Sequence, residues 1–304
     1  MAKLFSYLPY STGNNLEPRK KGLVIVSTGV LIISFDALLI RLAGTSNSNV
    51  IFWRGLFMFL SLSLVYYLIK RNLPFREVKR FGLPALASSV CYGLSGVLFV
   101  SAIMYTQVAN VVVIISMSPL FAALLTWMFG IDRILFRTWL AIFCSIMGVV
   151  IIFQGSMGTG GMLGNIIAVI AALNIGTNLT ILRNNTRMDP LPLVSLGGAI
   201  MAVLSLPFAA PLDLDLYSLA VLALMGLVQM PAALVFIGMS TRYLPSPEVS
   251  LFLLVESVCA PIWVWLFIGE VPPSLTFLGG GIVIATLCLY FWWGERDIKQ
   301  NRSS

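Results

Sequence analysis

The 304-residue chain contains no histidine. That absence removes the imidazole on which most protein zinc sites and most acid–base and triad catalysis depend. Cysteine is scarce too: Cys91, Cys144, Cys259 and Cys288 are the four present. Each falls inside an apolar run, far from metal-ligand spacing, and reads as a small buried apolar residue. No metal and no cofactor is expected. Charge is also short. Asp, Glu, Lys and Arg make up 10% of the chain and 59% is hydrophobic, with a mean hydropathy of +0.95. Soluble domains carry about 25% charge and about 45–50% apolar residues. The composition is that of an integral membrane protein in a lipid bilayer. The net charge of +7 does not indicate nucleic acid, because the basic residues form no stripe with interleaved aromatics.

What the chain has instead is long apolar runs. A helix needs about 20 mostly apolar residues to cross the hydrocarbon. Ten runs qualify, at roughly 22–41, 50–69, 82–104, 108–129, 136–154, 162–182, 191–210, 216–239, 247–268 and 274–293. They are separated by short turns of Gly, Pro, Asn and Asp. Residues 1–21 and 294–304 are polar tails, and no small-residue cleavage site follows the first run, which therefore reads as a span and not a removed signal.

Lys and Arg in short loops set orientation. Seventeen of the nineteen fall in the N-terminal tail, the alternate loops that follow it, and the C-terminal tail. The opposite loops carry none, and Arg41 and Arg54 lie within spans. Both termini are therefore expected on the cytoplasmic side.

Positions 105–146 recur at 243–284, an offset of 138. Tyr105/Tyr243, Val111/Val249, Ala122/Ala260, Trp127/Trp265, Phe129/Phe267, Thr138/Thr276, Leu140/Leu278 and Ile146/Ile284 are identical, and Asp132/Glu270 keeps its acid. A second echo sets Ser34-Phe35-Asp36 to Arg41 against Gly176-Thr177-Asn178 to Arg183, at offset 142. Span four runs inward and its copy, span nine, runs outward. The expected fold is all-α, ten transmembrane helices in two inverted five-helix repeats, 22–154 and 162–293, the pattern of secondary transporters.

Further residues carry a family resemblance: Phe52-Trp53-Arg54 in span two, Ser118-Pro119-Leu120-Phe121-Ala122 in span four, and the closing block Phe267-Ile268-Gly269-Glu270-Val271-Pro272-Pro273 with Gly279-Gly280-Gly281. The chain resembles the drug/metabolite transporter superfamily, specifically its EamA-type ten-span members, over about residues 22–293. Gly130-Ile131-Asp132 departs from the Gly-Glu turn in the first repeat. The resemblance implies a central cavity between the repeats opened alternately to either side, a bacterial inner membrane, and efflux or exchange of a metabolite. It also matches Arg54 to the family's second-span arginine.

An ionisable side chain inside a span faces a water-filled cavity or a partner. Glu256, near the middle of span nine, is the sharpest candidate, as a proton carrier or a binder of substrate amines; a structural carboxyl is the alternative. Its repeat counterpart is Ser118. Asp36 and Arg54 approach the outer side from adjacent spans and could form an ion pair, gating or structural, with Arg41 a competing partner for Asp36. Asn174 and Asn178, four apart on one face of span six, line a cavity or join helices. Gln229 precedes Pro231, where a loosened helix frees carbonyls. Pro119 and Pro261 are hinge candidates within spans. Tyr92 and Trp263 are candidates to line the cavity and stack on a substrate.

The leading expectation is a secondary transporter of a small organic metabolite, amine-bearing or zwitterionic, with protons as a candidate coupling ion. Uptake in place of efflux, and a monomer or a homodimer, stay open. A structural or sensory membrane subunit is the reading from another class. An intramembrane enzyme is disfavoured: Asp36 is the one aspartate within a span, and no histidine base exists.

Overall fold

The computed structural model of the chain describes residues 16–105, 108–115, 117–130, 136–154, 162–210 and 214–269, with scattered positions between 275 and 290. All the regular structure among them is helical. Seven helices are long and apolar enough to cross a membrane: Pro18–Leu42, Asn47–Lys70, Leu83–Ile103, Met162–Asn184, Pro190–Phe208, Leu216–Ser240 and Glu248–Ile268. These are spans one, two, three, six, seven, eight and nine of the sequence. Span five is the helix Phe136–Gln154. Span ten is described only in fragments, and both polar tails lie almost wholly outside the described residues.

Three of the spans depart from the single helices expected. Span one divides into α1 (Leu16–Ile33) and α2 (Asp36–Leu42). Span two is α3 (Asn47–Lys70), and a short α4 (Phe75–Phe81) leads into span three, α5 (Leu83–Tyr105). Span four divides into α6 (Val108–Ile115) and α7 (Ser118–Met128) immediately before Pro119. Proline disfavours helical geometry at the residue before it and removes a backbone donor. Spans five, six and seven are α8 (Phe136–Gln154), α9 (Met162–Asn184) and α10 (Pro190–Ser205). Span eight joins α11 (Leu216–Leu224) to α12 (Met230–Ser240) through a π-helical turn at Met225–Gln229. Pro231 explains that turn: it cannot donate to the carbonyl four residues back, and the wider turn re-registers the ladder. Span nine, α13 (Ser246–Ile268), continues unbroken across Pro261 and stops at Gly269, whose φ of 83° is the left-handed geometry of a helix end.

Helix packing reveals the duplication. Span two packs on seven, three on six, one on eight, four on six, one on nine, two on eight, three on seven, and four on nine. Spans five and ten meet at Gly148, where an added Cβ would lie 2.8 Å from the Gly279 carbonyl oxygen. Exchanging every span for the one five places away maps three–six onto eight–one, four–six onto nine–one and two–eight onto seven–three. It returns two–seven, four–nine and five–ten to themselves. In a chain that crosses alternately, a shift by an odd number of spans reverses direction, so the two repeats are inverted.

The axis pair two–seven brings two backbones into direct contact. A Cβ on Gly55 would lie 2.7 Å from the Gly198 carbonyl oxygen, and one on Gly198 would lie 2.7 Å from that of Gly55. Small residues let membrane helices approach until their backbones touch, and the gain is dispersion. Around this contact, Met58, Leu62, Tyr92, Leu193, Val194 and Met230 form a buried cluster contributed by both repeats. Gly55→Val and Gly198→Val are each expected to destabilise the fold by about 1–3 kcal/mol through overpacking. Thermal unfolding in detergent checks this, with Gly281→Ala, which meets nothing within 4 Å, as the silent control.

Candidate functional site

The break in span one organises the site. Ser34 turns its hydroxyl back to the Leu31 carbonyl at 2.7 Å, a local bond that competes with the helical ladder. The Ile32 carbonyl, which the Phe35 N–H reaches only at 3.4 Å, also accepts the Gln229 side-chain amide at 3.1 Å. Trp263 of span nine donates its indole N–H to Ser34 Oγ at 2.8 Å and stacks on Phe35 with ring centroids 4.5 Å apart. Spans eight and nine therefore both grip the interruption.

Asp36 begins the second half of the broken span. Its Oδ2 lies 3.1 Å from Arg54 Nη1, and the two residues are 2% and 1% exposed. Asp36 Oδ1, Arg54 Nε and Gln229 Oε1 are buried without a hydrogen-bond partner. Glu256 is the eleventh residue of the 23-residue α13; it is partly covered and lies close enough to feel the charges of both Asp36 and Arg54. Arg54 pairs directly with Asp36, and Glu256 stands near that pair. With both acids ionised, the group carries one net negative charge.

The inverted repeat has no such group on its other side. At offset 142 Asp36 answers to Asn178, and at offset 138 Glu256 answers to Ser118. Packing identifies the counterpart of Arg54. A Cβ on Gly226 of span eight would lie 2.9 Å from the Arg54 carbonyl oxygen, as one on Gly93 of span three would lie 2.8 Å from that of Gly197. Acid, base and acid on one side correspond to Asn178, Gly197 and Ser118 on the other.

The remaining sequence candidates separate into distinct places. Asn178 accepts from Ser88 Oγ at 2.6 Å and bonds Tyr92, while Asn174 donates to the Cys91 carbonyl at 2.8 Å and to Ser95 Oγ at 2.7 Å. Both asparagines join span six to span three, the interhelical alternative. Tyr92 is buried in the apolar cluster around span seven. Trp263 packs on the span-one break. Ser118 is 1% exposed and its hydroxyl has no partner. Arg41 is exposed in the last turn of α2, and Asp36 pairs with Arg54 instead. Arg54 lies two turns into its helix, deeper than the single turn expected, because α3 begins at Asn47. Of the hinge candidates, Pro119 follows a break and Pro261 does not; their side chains lie outside the described ones.

Sequence reasoning did not single out Ser34 and Phe35 as a helix break, nor the π-helical turn with Gly226. The Ser34-Phe35-Asp36 echo marked the place, but a polar serine inside a span does not by itself reveal a broken ladder.

An all-helical membrane protein of two inverted repeats, with an ionic group at mid-depth beside a discontinuous helix, has the architecture of a membrane transporter. The EamA-like transporter family model matches residues 20–154 and again 162–292, and the chain belongs to that family. It is 26% identical over 185 residues to YdfC, an uncharacterised transporter of Bacillus subtilis (strain 168), a match that covers 59% of this chain. The chain spans about 60% of that relative's length. A crystal structure described only as that of a protein superimposes with a TM-score of 0.75 at 15% identity, covering 91% of this chain and 99% of the other. That likeness is one of fold.

Arg54→Leu alone strands Asp36 as a buried unpaired charge and is expected to cost about 3–5 kcal/mol. Arg54→Leu combined with Asp36→Leu should recover most of that loss. A double-mutant cycle on thermal unfolding measures it; additive costs would show that the pair is uncoupled.

Proposed function

We propose that the chain is an alternating-access secondary transporter of a small organic metabolite bearing an amine, cationic or zwitterionic, which it exports or exchanges. The observation that carries this is the buried Asp36–Arg54 ion pair with the Glu256 carboxyl near it, two acids beside one guanidinium. Asp36 holds Arg54 at 3.1 Å, so Glu256 is the carboxyl left to meet a proton or an ammonium group. Only one of the two can neutralise it at a time, which is the requirement for coupling cargo to protons.

The Phe35–Trp263 stack beside the break adds an aromatic surface, and an organic cation over such a ring gains about 0.5–2 kcal/mol. The free Nε of Arg54 suits a carboxylate on the same cargo, and this supports the zwitterionic form. Inverted repeats support the alternation: two halves of similar packing and opposite direction can exchange conformations across the membrane. The division into repeats at 22–154 and 162–293 and the cytoplasmic placement of both termini belong to the same proposal. They are supported by the matched family segments and by the one-sided distribution of Lys and Arg.

The test is transport by the purified chain in liposomes, with a panel of protonated amines, zwitterions and matched neutral analogues. Glu256→Gln keeps the size of the side chain and removes its charge and its proton. It is expected to fold, to slow amine transport about tenfold or more, the equivalent of about 1.4 kcal/mol, and to abolish acceleration by an imposed pH gradient. Unchanged transport with unchanged pH dependence in this variant would overturn the assignment of Glu256.

A further inference from the structure

A second ionic group lies at the opposite end of the same helices. Glu248, in the first turn of α13, receives Arg19 of α1 at 3.4 Å through Oε2. Its Oε1 accepts the Tyr290 hydroxyl at 2.8 Å. That hydroxyl also lies 3.3 Å from Thr138 Oγ1 of α8, and the Arg137 guanidinium sits over the Tyr290 ring, 5.9 Å from its centroid. Spans one and five belong to the first repeat, spans nine and ten to the second. One carboxylate therefore ties the repeats together at the end of the molecule where the basic loops lie.

The network is one-sided. At offset 138 the positions answering to Glu248 and Tyr290 are Asn110 and Ile152, and at offset 142 the position answering to Arg19 is Gly161. They supply neither acid nor phenol nor base, so the inverted repeat cannot build the same lock at the other end. Glu248 is also remote from the acid–base–acid group: Glu256 lies eight residues further along α13, about 12 Å at 1.5 Å per residue.

We propose that Glu248 is the gating residue of the basic-loop end: its bonds to Arg19 and Tyr290 latch spans one and five against nine and ten, and they must break for cargo to pass that end. The resting protein then favours closure at the basic-loop end, and the end without the latch opens more readily. This rests on the transporter reading but not on its amine cargo. The latch differs from the Arg183, Arg242 and Glu77 contacts at the same end. Those guanidiniums and that carboxylate bind backbone groups of Thr241, Met188 and Asp189, whereas the Glu248 latch joins side chains of four spans.

Hydrogen exchange on the full-length protein in lipid nanodiscs tests the latch without any knowledge of the cargo. In Glu248→Gln, exchange in the first turns of α1 and α13 should rise on the order of tenfold, as the open population grows. Exchange at residues 42–47 and 205–210, at the other end, should fall. A merely structural loosening would raise the first and leave the second unchanged, and that outcome overturns the proposal. Tyr290→Phe should give a smaller shift of the same kind. The charge exchange Arg19→Glu with Glu248→Arg should return both ends toward the parent pattern. If Glu248→Gln fails to fold, Tyr290→Phe and the single substitution Arg19→Gln decide, and no reciprocal shift in either overturns the latch. If the ends respond as expected while no amine is transported, the cargo assignment fails and the gate stands.

Discussion

The ion pair between Asp36 and Arg54 is the constraint around which the centre of this molecule is arranged. A buried charge without a partner costs several kcal/mol, so once Arg54 sits two turns deep in span two, a carboxylate must be brought to it. An intact first span would place Asp36 on a continuous ladder, with its direction set by the helix. The break at Ser34–Phe35 frees the second half of the span to turn, and the backbone there is also bonded from outside, by Gln229 and through the bond of Trp263 to Ser34. The π-helical turn in span eight has the same logic, since it brings Gly226 against the Arg54 backbone and Gln229 against span one. Irregular backbone at membrane depth survives only where protein groups replace water, and here those groups come from spans eight and nine.

Near-symmetry makes the departures informative. The main helix contacts of the two repeats are interchangeable, down to the reciprocal contact of Gly55 with Gly198. The chemistry is not interchangeable. Asp36, Arg54 and Glu256 have counterparts in Asn178, Gly197 and Ser118, and the Glu248 latch has counterparts that cannot form it. Dispersion and backbone approach need only shape, which a duplication preserves. Ion binding needs charge at one place, and a second copy of a buried charged group would impose its desolvation cost again. The charge sits on one side of the axis that relates the repeats, although both repeats contribute to it.

Much of the architecture was legible from composition and spacing. Ten apolar runs, the offset of 138 and the one-sided Lys and Arg pointed to inverted repeats, because hydrophobic length and loop charge are local properties. The ionisable residues within spans were also legible, since lipid makes each of them costly. The interruptions in spans one and four were less so. Pro119 signalled the second, but Pro261 sits in an unbroken helix, so proline alone does not decide. Nothing in the one-dimensional pattern told Asn178 as helix-joining glue from Asn178 as a lining residue; its bond to Ser88 comes from 90 positions away.

The sequence by itself determined a membrane protein, its spans, its duplication and its scarce buried charges, because each follows from how residues partition between water and lipid. The tertiary structure alone decided which charge meets which. Arg54 could have served Asp36 or stood apart, and Asp36 could have turned to Arg41 in its own helix. Glu248 gave no sign in the sequence of binding Arg19 across 229 positions. Partner choice among buried ions depends on helix breaks and close glycine contacts that set distances to within an ångström. Apolar periodicity carries no information at that scale.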